Sequence, residues 1–145
     1  MDVIRRNTDY ALRAMVRLAG SYDARLISTR VIADAEAIPY QLACKLMQKL
    51  SKAGIIESMM GPAGGFRLSR DPAKINLLEI IGVIQGPLSL NRCVLGAESC
   101  PVGDRCTISA KLKDLQGQMN DYLAGVTLAE LVENRCEPKK KKGRS

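Results

Sequence analysis

The chain has no histidine and no tryptophan, and its aromatic residues amount to four tyrosines and one phenylalanine among 145 residues. Single-stranded nucleic acid and RNA loops are usually held on aromatic stacking platforms, which such a sequence can hardly supply. Enzymatic chemistry is not expected either. Without histidine, and with no Ser/Lys pair, paired carboxylates, flavin or nucleotide motif standing out, no acid–base or nucleophilic constellation is visible. No apolar run approaches the ~20 residues needed to span a bilayer, and no leader pattern of cationic, apolar and small segments opens the chain. Five cysteines are an odd number, which argues against a disulfide framework. A cytoplasmic, reducing compartment is expected, with no membrane partner and with thiols serving as ligands, redox groups or core residues.

What is present begins with charge. Residues 1–70 carry 11 Lys and Arg against 6 Asp and Glu, residues 71–136 carry 6 against 8, and residues 137–145 carry 5 against 1. The net +7 therefore sits in a basic first half and a short tail, Lys139 to Lys142, which reads as a disordered, solvated end. Positive charge gathered in a folded half is the footprint of a polyanion, and duplex DNA read by a helix is the best candidate.

Helical periodicity supports that reading. Leu12, Met15, Val16 and Ala19 recur at helical spacing, with Thr8 expected as the N-cap and Asp9 in the first turn, where a carboxylate suits the helix dipole. A second, short helix is expected to open at Ser28 or Thr29 and to give way at Ala37-Ile38-Pro39. The third runs from Pro39 or Tyr40 to Ala53, with Gly54 after its end. Its expected apolar stripe is Leu42, Leu46, Leu50 and Ala53, and its polar face is Gln41, Cys44, Lys45, Gln48 and Lys52. Two helices so arranged form a helix-turn-helix, whose second helix enters the major groove. Ile55-Ile56 and Phe66-Arg67-Leu68 then read as strands around a Gly/Pro tip that contains Gly61, Pro62, Gly64 and Gly65. Such a hairpin is a wing, with glycine backbone able to approach phosphates closely.

The expected fold is mainly α with a small β-hairpin wing, a winged helix-turn-helix domain (residues 1–85) plus a long dimerisation helix (108–124). Between them lies a loop over residues 86–107, and a short terminal helix (125–136) precedes the basic tail (137–145). A helix over Leu77–Gln85, apolar nearly all round, should be buried. Ile108, Leu112, Leu115, Met119, Tyr122 and Leu123 form a seam that a second copy of the chain would cover, which implies a homodimer. Thr127 to Glu130 reads as a capping box. In the loop, Cys93, Cys100 and Cys106 are separated by six and then five residues among Gly and Pro breaks. One loop so built can wrap an object larger than a single ion. An iron–sulfur cluster fits best, with a DNA-binding dimer that holds structural zinc or no metal as the alternative and a small redox protein as a third reading.

In this order, the stretches Thr8–Ala19 (TDYALRAMVRLA), Leu50–Pro72 (LSKAGIIES, then GPAGGFRLSRDP) and Ile75–Ile81, with the three-cysteine loop, resemble the IscR/NsrR-type winged helix-turn-helix transcription regulators of the Rrf-type superfamily. The resemblance spans roughly residues 1–131. It implies homodimers held by a long helix, two modules reading a pseudo-palindromic operator, and in many members a cluster beside the dimer helix that senses redox, nitric oxide or iron and cluster status. Members similar to IscR complete a two-iron cluster with a histidine after the third cysteine, and here Cys106 is followed by Thr-Ile-Ser in a chain without histidine. Members similar to NsrR hold a four-iron cluster with an aspartate from the partner's first helix, which corresponds to Asp9. A 4Fe-4S cluster is accordingly favoured over 2Fe-2S. The DNA-binding residues implied are Ser28, Thr29, Pro39, Tyr40, Gln41, Cys44, Lys45, Gln48, Gly61, Pro62, Gly64, Gly65 and Arg67. The chain departs from the family at Cys44, where members can place an acid that restricts DNA choice. It also departs at Met60, where an arginine can reach bases or the minor groove. That contact should be missing, or supplied by Arg67 or by Arg5 and Arg6.

Overall fold

The computed structural model describes residues 3–22, 25–90 and 106–133, and within them the chain is mainly helical with one two-stranded antiparallel sheet. Cys93, Cys100 and Cys136 and the basic tail lie outside the described residues.

Helix α1 (Arg6–Ala19) starts two residues before the expected cap. Arg5 occupies the N-cap position without a side-chain bond, while Thr8 lies inside the helix and is fully buried. Its hydroxyl donates to Gln85 Oε1 at 2.7 Å, so a tertiary partner has displaced the local capping role. The buried face is Ala11, Ala14, Met15, Leu18 and Ala19, with Leu12 and Val16 of the expected stripe only partly covered. The small alanines on this face let neighbouring helices pack closely against α1.

Helix α2 (Thr29–Glu36) is capped by Ser28, whose hydroxyl accepts from the Val31 amide at 3.2 Å. Its far end is held from α1: Arg13 Nη1 donates to the Glu36 carbonyl at 2.9 Å, and Arg17 Nε meets the Glu36 carboxylate at 2.6 Å. Ala37 then adopts φ 53°, ψ 46°, a left-handed position usually given to glycine.

Helix α3 (Tyr40–Lys52) opens at Pro39 and buries Ala43, Leu46, Met47 and Leu50. Ala53 of the expected stripe is exposed, since the helix stops there. Gly54, at φ +78°, donates to the Ser51 carbonyl at 3.0 Å, and Ile55 donates to that of Leu50 at 3.3 Å. This pair of bonds is a Schellman stop. It carries the buried Ile55 under the helix end, which is why β1 (Ile56–Met59) begins one residue later than the apolar pair suggested. β2 (Gly65–Leu68) pairs with it in the register Ile56 with Leu68 and Glu57 with Arg67. Ile27 and Phe66 exchange backbone bonds of 3.0 and 2.8 Å, stitching the wing to the segment before α2.

After a single 3-10 turn (Pro72–Lys74), Asn76 caps α4 (Leu77–Gln85) by accepting from the Glu79 amide at 2.9 Å. Ile80 and Ile81 are fully buried, whereas Val83 and Ile84 are only half-covered, so the expected burial holds on one side of the helix. Helix α5 (Thr107–Gly125) packs on α4 and buries Ser109 and Gln116. The backbone then returns: Leu77 donates to the Val126 carbonyl and Leu128 to that of Ile75, each at 3.0 Å. Helix α6 (Leu128–Glu133), opened by Thr127 Oγ1 accepting from the Glu130 amide at 3.3 Å, inserts Leu128 into the same core as α1 to α4.

Candidate nucleic-acid interface and metal-binding segment

No carboxylate occurs in α3, and its outward positions alternate amides with ammonium groups. Gln41, Lys45 and Gln48 are exposed there, as is Lys49, which the sequence reading did not single out. Amide and ammonium donors on a helix of this kind can bond to adenine and guanine edges in a major groove. Cys44 lies between them, half-buried and without a disulfide. Pro39 and Tyr40 are exposed at the helix start. The guanidinium of Arg30, on α2, lies 4.1 Å from the centre of the Tyr40 ring. Stacking of this sort is worth about 0.5–1 kcal/mol at an exposed site and leaves the guanidinium edge available to a phosphate. Nothing in the spacing signalled Arg30, because its meeting with Tyr40 depends on how α2 and α3 cross.

Two of the wing glycines also answer a demand of the fold itself. A Cβ on Gly64 would lie 2.2 Å from the Met59 carbonyl oxygen, and one on Gly65 would lie 2.6 Å from the Ile27 carbonyl. The absent side chains are therefore demanded by the protein's own backbone, whatever else approaches. Gly61 and Pro62 are exposed at the tip. Arg67 is exposed but engaged, its Nε 3.1 Å from the carboxylate of its cross-strand partner Glu57. Between the tip, the end of α1 and the start of α2 lies a cleft of about 530 Å³, lined in part by Arg17, Arg25, Ser28, Val31 and Gly64. Thr29 begins α2 beside it, half-buried.

On the thiol side, Cys106 is half-buried in the N-cap position of α5, and its side chain makes no capping bond. A helix start favours negative charge, so the donor and its setting fit a thiolate bound to iron or zinc. Asp9 stands in the first turn of α1, with its side chain 60% exposed and 3.4 Å from Arg13. It is open to an approaching group. Among the described residues no three Cys, Asp or Glu side chains come together as a metal site. No helix among them is long and apolar enough to cross a membrane.

Similarity to known proteins agrees with this arrangement. The profile of the Rrf2 family, described as an iron-dependent transcriptional regulator, matches residues 4–134. A putative HTH-type transcriptional regulator of Aquifex aeolicus is 34% identical over 125 residues, 85% of this chain and 86% of that protein. The HTH-type transcriptional regulator IscR of Xenorhabdus nematophila is 32% identical over 126 residues, 87% of this chain and 76% of its own length. Among solved structures, CymR, the global cysteine regulator of B. subtilis, superposes with a TM-score of 0.77 at 24% identity, covering 94% of this chain and all of the other.

Proposed function

The chain belongs to the Rrf2 family of transcriptional regulators and is a DNA-binding protein rather than an enzyme, and from that premise we propose a cluster-dependent homodimer acting on a pseudo-palindromic operator. Gln41, Lys45 and Gln48 face base edges, with Pro39, Tyr40 and Cys44 beside them. Ser28, Thr29, Gly61, Pro62, Gly64, Gly65 and Arg67 meet the backbone of the duplex. Cys93, Cys100 and Cys106 hold the cluster, with Asp9 of the partner subunit as fourth ligand, and the protein works in the cytoplasm. Such a cluster would be of the four-iron type, and its carboxylate-held iron would be the point open to nitric oxide, to oxygen or to loss.

The observation that carries this reading is the attachment of both flanks of the cysteine segment. Upstream, the Leu90 amide donates to Gln116 Oε1 at 2.9 Å, and Gln116, itself buried in α5, donates onward to Asn120. Nearby, Gln85 accepts from the Arg5 amide at 3.1 Å and from Thr8, and its own amide donates to the Val3 carbonyl at 2.9 Å. Downstream, α5 starts directly after Cys106. A change between residues 91 and 105 would therefore act next to the start of α5 and its Gln116 anchor, with the Gln85-held N-terminal arm five residues before Leu90.

Helix α5 also carries an outward stripe, Ile108, Leu115 and Tyr122, at 67%, 49% and 73% exposure and seven residues apart. Leu112, Met119 and Leu123 from the expected seam are half-covered by the chain itself. The stripe supports a second subunit as its cover. Because two half-sites must be met together, a small shift at that seam changes whether both recognition helices seat. The test is purification without oxygen, followed by iron and sulfide analysis, visible absorption, native mass spectrometry and DNA affinity with and without the cluster. A coloured dimer whose two forms differ in affinity is expected. A colourless zinc protein would overturn the cluster, and equal affinities would overturn the switch.

A further inference from the structure

Met60 is 97% exposed, the most solvent-accessible large apolar residue described, and Met59 beside it is 51% exposed. Leaving a whole methionine in water forgoes about 1.5–3 kcal/mol of possible burial. The residue also stands in a setting without charge, since every side chain from Ser58 to Phe66 is neutral. The next cation along the wing, Arg67, is paired with Glu57 across the hairpin. This wing thus reaches outward with an apolar tip, while the neighbouring surface offers Arg25, Arg30, Lys45 and Lys49 to a polyanion.

The tip is firmly mounted. Gly64 donates to the Gly61 carbonyl at 2.9 Å, Gly65 is pressed against the backbone of Ile27 and Ser28, and β1 packs on α3. Its position is therefore set relative to the recognition helix. A hairpin carried beside a helix in the major groove meets the flanking backbone and minor groove. Side chains such as methionine act there as wedges that partly unstack a base step and kink the duplex.

We propose that Met60 is a specificity-determining residue, set by the wing into the operator's minor groove as an apolar wedge. The operator is then read at that point through the deformability of a step, with pyrimidine–purine steps such as TA or CA/TG preferred. Minor-groove charge, which cationic side chains sense, plays no part there. The inference rests on the DNA-binding reading of α3 and the wing.

The experiment is selection of duplexes from a randomised library by the full chain, purified without oxygen, in parallel for wild type, Met60→Ala and Met60→Arg. Wild type is expected to enrich a flexible step at two symmetric flanking positions. Met60→Ala should keep the central motif, lose the flanking preference and bind the wild-type duplex about tenfold more weakly, and Met60→Arg should turn the flanks towards A-tracts. 2-Aminopurine placed at the flexible step should brighten with wild type and stay quenched with Met60→Ala. The same flanking motif, affinity and fluorescence in Met60→Ala would overturn the wedge and leave the regulator standing. No motif from any variant would overturn the DNA-reading surface itself, and the wedge with it.

Discussion

The hydroxyl of Thr8, fully buried in α1, donates to the side-chain carbonyl of Gln85 at 2.7 Å, tying the start of the first helix to the end of the fourth. Because Gln85 also holds Arg5 and Val3, one amide organises the whole N-terminal arm. Gln85→Leu leaves that hydroxyl buried without its acceptor, at a cost of about 1–3 kcal/mol. Chemical denaturation should register this loss, and hydrogen exchange at the Arg5 amide should quicken. Unchanged exchange at Arg5 would mean that the arm is held elsewhere.

Ala37 closes α2 in a left-handed conformation that disfavours a Cβ. Ala37→Gly should stabilise the fold by about 1 kcal/mol, raising the midpoint of thermal unfolding by about 3 °C. A fall in that midpoint would show that the lower entropy of unfolded alanine outweighs the strain in the turn.

Gly65 has the opposite requirement. A methyl group there would meet Ile27 and Ser28 backbone atoms at 2.6 to 2.9 Å, so Gly65→Ala should cost about 1–3 kcal/mol by overpacking. It should also weaken DNA binding by displacing the wing. Gly82→Ala, at an exposed helix position with open space, should stabilise by about 0.5–1 kcal/mol. Similar unfolding midpoints for the two variants would refute the packing argument.

Leu115 lies at the middle of the outward stripe on α5. Leu115→Glu should convert the proposed dimer to folded monomers, seen as a halved mass in light scattering with an unchanged helical circular dichroism spectrum. A dimer of undiminished stability would place the subunit contact on another face.

Much of the architecture was legible because it rests on short-range physics. Ser28 caps α2, Pro39 and Gly54 bracket α3, and the Gly/Pro tip folds the hairpin, all as local backbone preferences dictate. The outer face of α3 followed from helical spacing. Where spacing misled, a tertiary partner had intervened: Gln85 took Thr8 away from capping, and the Schellman stop drew Ile55 out of the strand. The seam on α5 read as one stripe, yet the chain itself half-covers Leu112, Met119 and Leu123 and leaves Ile108, Leu115 and Tyr122 outside.

The kinds of chemistry available were decided by composition alone: thiolates without histidine, a basic first half, and a wing tip without charge. Residue types and local spacing suffice for that, because ligand preference, net charge and helix or turn propensity need no distant partner. Only the folded chain decided that Arg67 is engaged by Glu57, that Arg30 stacks on Tyr40, and that Gln85 and Gln116 anchor the approach to the cysteine segment. Each of these joins residues 10 to 82 positions apart, and such meetings depend on how helices cross and how a hairpin closes.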